Sequence, residues 1–109
     1  MSKTTIAIGL PSTRTDGSSL ALSDIASCVL SKAVGTGAPA VLNTFNGPFT
    51  SASLSFDDTS PDFGETDEYS AVVTDVEGNV SAAGTSSVEV PTSQLAAPSA
   101  PSVSATFQP

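Results

Sequence analysis

Six carboxylates, Asp57, Asp58, Asp62, Glu65, Asp67 and Glu68, fall within twelve consecutive residues, and a cluster of that density is the first place to look for acid–base or cation chemistry. Glycoside hydrolysis needs two carboxyl groups facing each other across a cleft, one of them in an apolar pocket that keeps it protonated. Six acids on one connecting segment lack that separation. Calcium takes several oxygen ligands from a flexible loop, and Asp57, Asp58 and Asp62 are its candidate ligands, although the EF-hand spacing is not present. The favoured reading of the segment is a solvated acidic loop that aids solubility.

Other reactive combinations are missing. The chain has no histidine, which removes Ser-His-Asp and Cys-His catalysis and imidazole metal sites. Its one cysteine, Cys28, alternates with Ala26 and Leu30, the spacing of an apolar strand face, so it reads as core filler rather than a reactive thiol. Gly35 and Gly37 are followed by neither a lysine nor a helix start, and so do not form a phosphate cradle. Asn79-Val80-Ser81 fits the glycosylation acceptor pattern but reads as turn chemistry. With no nucleophile–base pair, the expectation is a protein that is not an enzyme and needs no cofactor.

The charge distribution excludes further classes. Net charge is −8, and the only cations are Lys3, Arg14 and Lys32. Residues 1–32 therefore sum to +1, three cations against Asp16 and Asp24, while the remainder carries nine acids and no cation. Nucleic acid needs clustered Lys and Arg to displace its counterions, so binding to it is not expected. No apolar run approaches the roughly 18 residues of a membrane span, and no positively charged start precedes a signal-length apolar run. The expected location is the cytoplasm, or release from it by lysis, with no membrane partner.

Strands dominate the pattern. Residues 4–10 alternate Ile6, Ile8 and Leu10 against Thr5, Ala7 and Gly9, and Pro11 closes them. Residues 12–19 hold Asp16-Gly17 and read as a loop with a tight turn, which Leu20 and Leu22 pin to the core. Residues 25–32 form the next strand, with Ala26, Cys28 and Leu30 inward, and residues 40–45 an edge strand ended by Asn46-Gly47-Pro48. In residues 51–56, Ala52, Leu54 and Phe56 alternate with three serines. Tyr69, Ala71 and Val73 alternate in residues 69–75, Val88 and Val90 in residues 85–90, and Gly78-Asn79 turns the chain between them. No window has helical spacing. The expected fold is all-β, an antiparallel sandwich with Greek-key connections, formed by residues 1–91 and followed by a Pro/Ser/Ala-rich tail, residues 92–109.

The segment from Leu10-Pro11 to Asp16-Gly17, then Leu22-Ser23-Asp24-Ile25-Ala26-Ser27, then residues 69–90 with Gly78-Asn79-Val80-Ser81, resembles the fibronectin type III group of immunoglobulin-like domains. The resemblance implies that residues 4–10 are family strand B, 25–32 strand C, 51–56 strand E, 69–75 strand F and 85–90 strand G. Tyr69 is then the structural corner tyrosine, its hydroxyl tied to nearby backbone. The family's tryptophan is absent, and Ile8 stands in its place. Strand A is also missing ahead of strand B, whereas residues 97–107, APSAPSVSATF, resemble the proline-rich opening of such a domain.

A sandwich without its first strand leaves an open sheet edge that recruits a strand, and the tail is the candidate. Closing on its own sandwich requires crossing about 24 Å, seven strand residues at about 3.4 Å each. Residues 91–97 reach that far only when almost fully extended, so donation to a neighbouring copy is at least as easy. The weakly positive first third facing the acidic remainder of another copy agrees in sign. The competing reading of the tail is an unstructured linker.

The functional expectation is a structural protein that works by assembly, a decoration or accessory capsid protein of a bacterial virus located in the virion. Its partners are copies of itself or a major capsid or other virion protein, with Pro98, Pro101, Val103, Ala105 and Phe107 as the interface. The alternative is an adhesion or carbohydrate-binding module of a secreted bacterial protein, which would offer exposed aromatics for sugar stacking. This chain has no tryptophan and one tyrosine.

Overall fold

The computed structural model describes residues 2–92 and 98–109. Among the described residues six strands follow one another: β1 (Thr4–Gly9), β2 (Ile25–Val34), β3 (Ala40–Asn46), β4 (Ser53–Asp58), β5 (Thr66–Asp75) and β6 (Gly84–Glu89), with a single helical turn at Leu22–Asp24. They form two antiparallel sheets, one pairing β1 with β4 and the other in the order β3-β2-β5-β6. The protein is an all-β sandwich, and no helix among the described residues is long and apolar enough to cross a membrane.

The core lies where the inward faces meet. Ile8 and Leu10, from β1 and the residue after it, pack with Ile25, Cys28 and Leu30 of β2 and Tyr69 and Val73 of β5. Ile8 is 9% exposed and Cys28 and Leu30 are closed to solvent, so small branched side chains fill the centre without a tryptophan. Leu20 and Leu22 pack against this cluster and hold the preceding loop, where Thr13 bridges to Ser19 and Gly17 turns with φ 87°. β3 is an edge strand, as its pattern implies.

Two alternations differ from expectation. Ala26 does not share the inward face with Cys28, because the pairing of β2 with β5 shifts register between Ile25 and Ser27. The bulge resets the alternation and turns Ile25 inward instead. Ala52 is exposed and precedes β4, which continues through Asp57 and Asp58, while β5 begins at Thr66. The acidic connection is thus shorter than the sequence pattern suggests, and both of its ends belong to strands.

β5 and β6 are joined by a bulged hairpin. Thr74 bridges to Val80, but Ala71 pairs with Gly84, one step out of that register. Ser81 absorbs the shift by donating its N–H to the Val73 carbonyl at 2.8 Å and accepting the Val73 N–H on its hydroxyl at 2.9 Å.

Candidate functional site: a buried ion cluster and an uncharged groove

The acidic segment is a solvated loop only in part: Asp57, Glu65 and Glu68 are exposed, whereas Asp58 and Asp67 are buried. Adjacent strand residues point to opposite faces, and this divides the three candidate calcium ligands. Asp57 faces out from β4 and accepts from the Lys3 ammonium at 3.1 Å and the Thr5 hydroxyl at 2.9 Å. Asp58 faces in, 4% exposed. It accepts from the Tyr69 hydroxyl at 2.7 Å, from Lys32 Nζ at 2.8 Å and from the Ser60 N–H at 3.0 Å. Asp62 meets the same Lys32 ammonium at 2.7 Å. Where a calcium ion would neutralise Asp58 and Asp62, a lysine does so. Among the described residues no group of three or more His, Cys, Asp or Glu side chains is arranged to hold a metal ion.

The protonation states follow from this packing. Burial works against the Lys32 charge, but its hydrogen bonds to Asp58 and Asp62 outweigh burial and raise its pKa. Burial likewise pushes the Asp58 carboxyl up, and the hydrogen bonds from Lys32 and Tyr69 overcome it, leaving the pKa below the usual carboxylate value. Tyr69 is raised to about 12 by burial and by its bond to Asp58. Asp67, wholly buried, takes only a 3.3 Å bond from the Asp62 N–H on Oδ2 and leaves Oδ1 without a partner. Burial first, and then its carboxylate neighbour Asp62, raise its pKa.

Tyr69 therefore differs from the expected corner tyrosine, since its hydroxyl bonds the Asp58 carboxylate rather than backbone. The charge asymmetry between copies loses its basis too. All three cations are engaged within the chain: Lys3 with Asp57, Lys32 with Asp58 and Asp62, and Arg14 with Asp75 at 2.8 Å. Cys28 is a buried free thiol whose pKa burial raises, consistent with filler.

Lys32 and Asp75 are not candidate site residues in the sequence pattern, and Asp67 enters it only as one of six clustered acids, yet a signal for Lys32 and Asp67 exists. Lys32 stands in phase with Cys28 and Leu30, Asp58 with Leu54 and Phe56, and Asp67 with Tyr69. Carrying each alternation one step further brings all three inward to one place.

A second feature shares Tyr69 with the ion cluster. A groove of about 400 Å³ runs between β1 and β6, with Ile6, Ile8 and Leu30 in its lining and Ala82, Gly84 and Ser86 along the β6 side. None of its lining residues is charged. Pro11, Val73 and Ser81 also line an adjoining recess of about 270 Å³ beside Val80, whose side chain is 65% exposed. Of the proposed interface residues, Pro98, Pro101, Val103, Ala105 and Phe107 are all exposed, and residues 98–109 form no strand. The expectation for residues 92–109 falls partly on residues 93–97, which lie outside the described residues.

Geometry defines the class, an all-β sandwich of two antiparallel sheets with a buried ion cluster and an uncharged groove. Comparison with protein-family models, curated proteins and solved structures finds no match.

Proposed function

We propose that this protein is a non-enzymatic structural protein that works by assembly, an accessory or decoration protein of a virus particle that bridges neighbouring subunits through its C-terminal segment. The observation that carries this reading is the exposure of Val103 at 89% and Phe107 at 87%, on a segment, residues 91–109, without a charged side chain. Isolated exposed apolar residues are ordinary, but a charge-free stretch that repeats them at strand spacing is suited to burial against another surface.

Two further points support the reading. β1 pairs with β4 in one sheet and β3-β2-β5-β6 form the other, an order that supports the immunoglobulin-like reading, and among the described residues β1 has no partner on its outer side. Of the carboxylates that looked fit for chemistry, Asp58 and Asp62 are occupied in holding Lys32, and Asp58 also in holding Tyr69, a structural task. The partners are copies of this chain and a major capsid or other virion protein, and the location is the virion.

The test is co-purification. The full chain should sediment with intact virus particles, and a chain carrying Val103→Asp and Phe107→Asp should be lost from them. Absence of the wild-type chain from purified particles, with specific retention on immobilised glycans, would replace this reading by the carbohydrate-binding one.

A further inference from the structure

We propose that the groove between β1 and β6 receives the C-terminal segment of a second copy of this chain, added as a strand antiparallel to β1, so that molecules join head to tail. This rests on the assembly reading above and names its partner and geometry.

The acceptor side is set by hydrogen bonding. Leu10 donates to the Ala52 carbonyl at 2.7 Å, and Ile8 and Ile6 follow it in register opposite Leu54 and Phe56. Bonded pairs alternate in antiparallel ladders, so the N–H and C=O groups of Thr5, Ala7 and Gly9 point away from β4. Among the described residues β1 pairs with no other strand. These groups make a free edge of the kind that accepts an extended segment. Beneath that edge lies the groove. Gly84 and Gly9 line it, and a Cβ on either would meet nothing within 4 Å, so a backbone can approach closely.

The donor side fits in pattern and charge. Val103, Ala105 and Phe107 alternate with Ser102, Ser104 and Thr106, the period-two signature of a half-buried strand. Pro98 and Pro101 precede this stretch and none falls within residues 102–108, so every N–H needed for a ladder is present. On a chain of net charge −8, two copies repel over most of their surfaces, whereas this segment and this groove carry no charged side chain to oppose contact.

With the added strand antiparallel to β1, polarity selects the second copy. Val88, Val90 and Pro91 line a recess with Ser2 and Thr4, so the chain leaves β6 beside the start of β1. A strand antiparallel to β1 must enter at the other end, by Pro11, and finish near Thr4. To fill its own groove the segment would first run back about 20 Å, the length of six strand residues, and then reverse. A molecule stacked at the Pro11 end delivers its segment directly. Such a contact is heterologous, and repetition gives a ring if the rotation closes or a filament if it does not.

The experiment uses the full chain, a full-length V103D/F107D variant and a labelled peptide of residues 97–109. Both substituted side chains already face water, so the variant keeps the fold. In sedimentation over a concentration series the wild-type mass should at least double while the variant stays monomeric. The peptide should bind the variant, whose own tail no longer competes, and binding should be lost when Gly84→Lys is added. A wild type monomeric at every concentration overturns the proposal, as does a monomeric wild type that melts above the variant, which would mean intramolecular closure. Peptide binding unaffected by Gly84→Lys overturns the choice of groove. A monomeric wild type still retained on purified particles would sink this proposal alone, whereas head-to-tail association with no retention would sink the virion reading alone.

Discussion

Removing an ammonium and two carboxylates from water costs several kcal/mol per ion, and their attraction offsets this only when the remaining donors and acceptors are satisfied. Around Lys32 that condition is largely met by Asp58, Asp62, the Ser60 carbonyl and Tyr69. Lys32→Met would leave two carboxylates with their counter-charge gone, and a loss of about 3 kcal/mol in urea unfolding at neutral pH is expected. Tyr69→Phe deletes one bond to a charged acceptor and should cost about 2 kcal/mol in the same measurement. Asp67 acts in the opposite sense. Its folded-state pKa is raised, so its contribution is fully present below the ordinary value of about 4 and is lost as pH rises through the raised one. Asp67→Asn keeps a neutral, hydrogen-bonding side chain at every pH. The stability of the variant relative to wild type should therefore grow from about pH 4 upward and then level off, as read by denaturant midpoints across pH. A difference independent of pH would mean that Asp67 is not proton-linked to folding.

At the scale of the element, the hairpin after β5 depends on Asp75. One carboxylate, 5% exposed, accepts the N–H groups of Glu77 and Asn79, the Asn79 amide and the Arg14 guanidinium. The Arg14 and Asn79 bonds hold its pKa well below the usual range, so this contribution is present above the ordinary carboxylate value and fails as pH falls. Gly78 completes the turn at φ 92°, in the left-handed half of backbone space where a Cβ is unfavourable. Gly78→Ala should cost about 1 to 2 kcal/mol, with a fall in Tm of about 4 to 8 °C per kcal/mol. That turn was legible, because Gly78-Asn79 lies between two alternating runs. So were the strands, since Ile6-Ile8-Leu10 and Tyr69-Ala71-Val73 each write a period of two. The ion cluster was less so. An acid at a strand end is typed as polar by composition, and only its phase shows that it points inward; Asp58 and Asp67 are cases where phase overrides type. The Ala26 bulge carries no such mark, because a register shift depends on the partner strand rather than on local residue types.

For the whole molecule, β1 and β4 form the smaller sheet, held across a long sequence separation by pairs such as Thr4 with Asp58, while β2 and β5 each have partners on both sides. Local opening should respect that difference. In hydrogen exchange at neutral pH, amides of β2 and β5 should exchange slowest. The inward-paired amides of Ile6, Ile8 and Leu10 should be intermediate, and those of Thr5, Ala7 and Gly9, along with residues 98–109, should exchange near the rate of an unstructured chain. Raising the concentration should slow Thr5, Ala7, Gly9 and residues 102–107 together and leave β2 and β5 unchanged, because one ladder protects both of its strands while the core is untouched. Protection that appeared in the C-terminal segment without appearing on β1 would place the contact on another surface. Protection on both that did not depend on concentration would mean that each molecule closes its own edge.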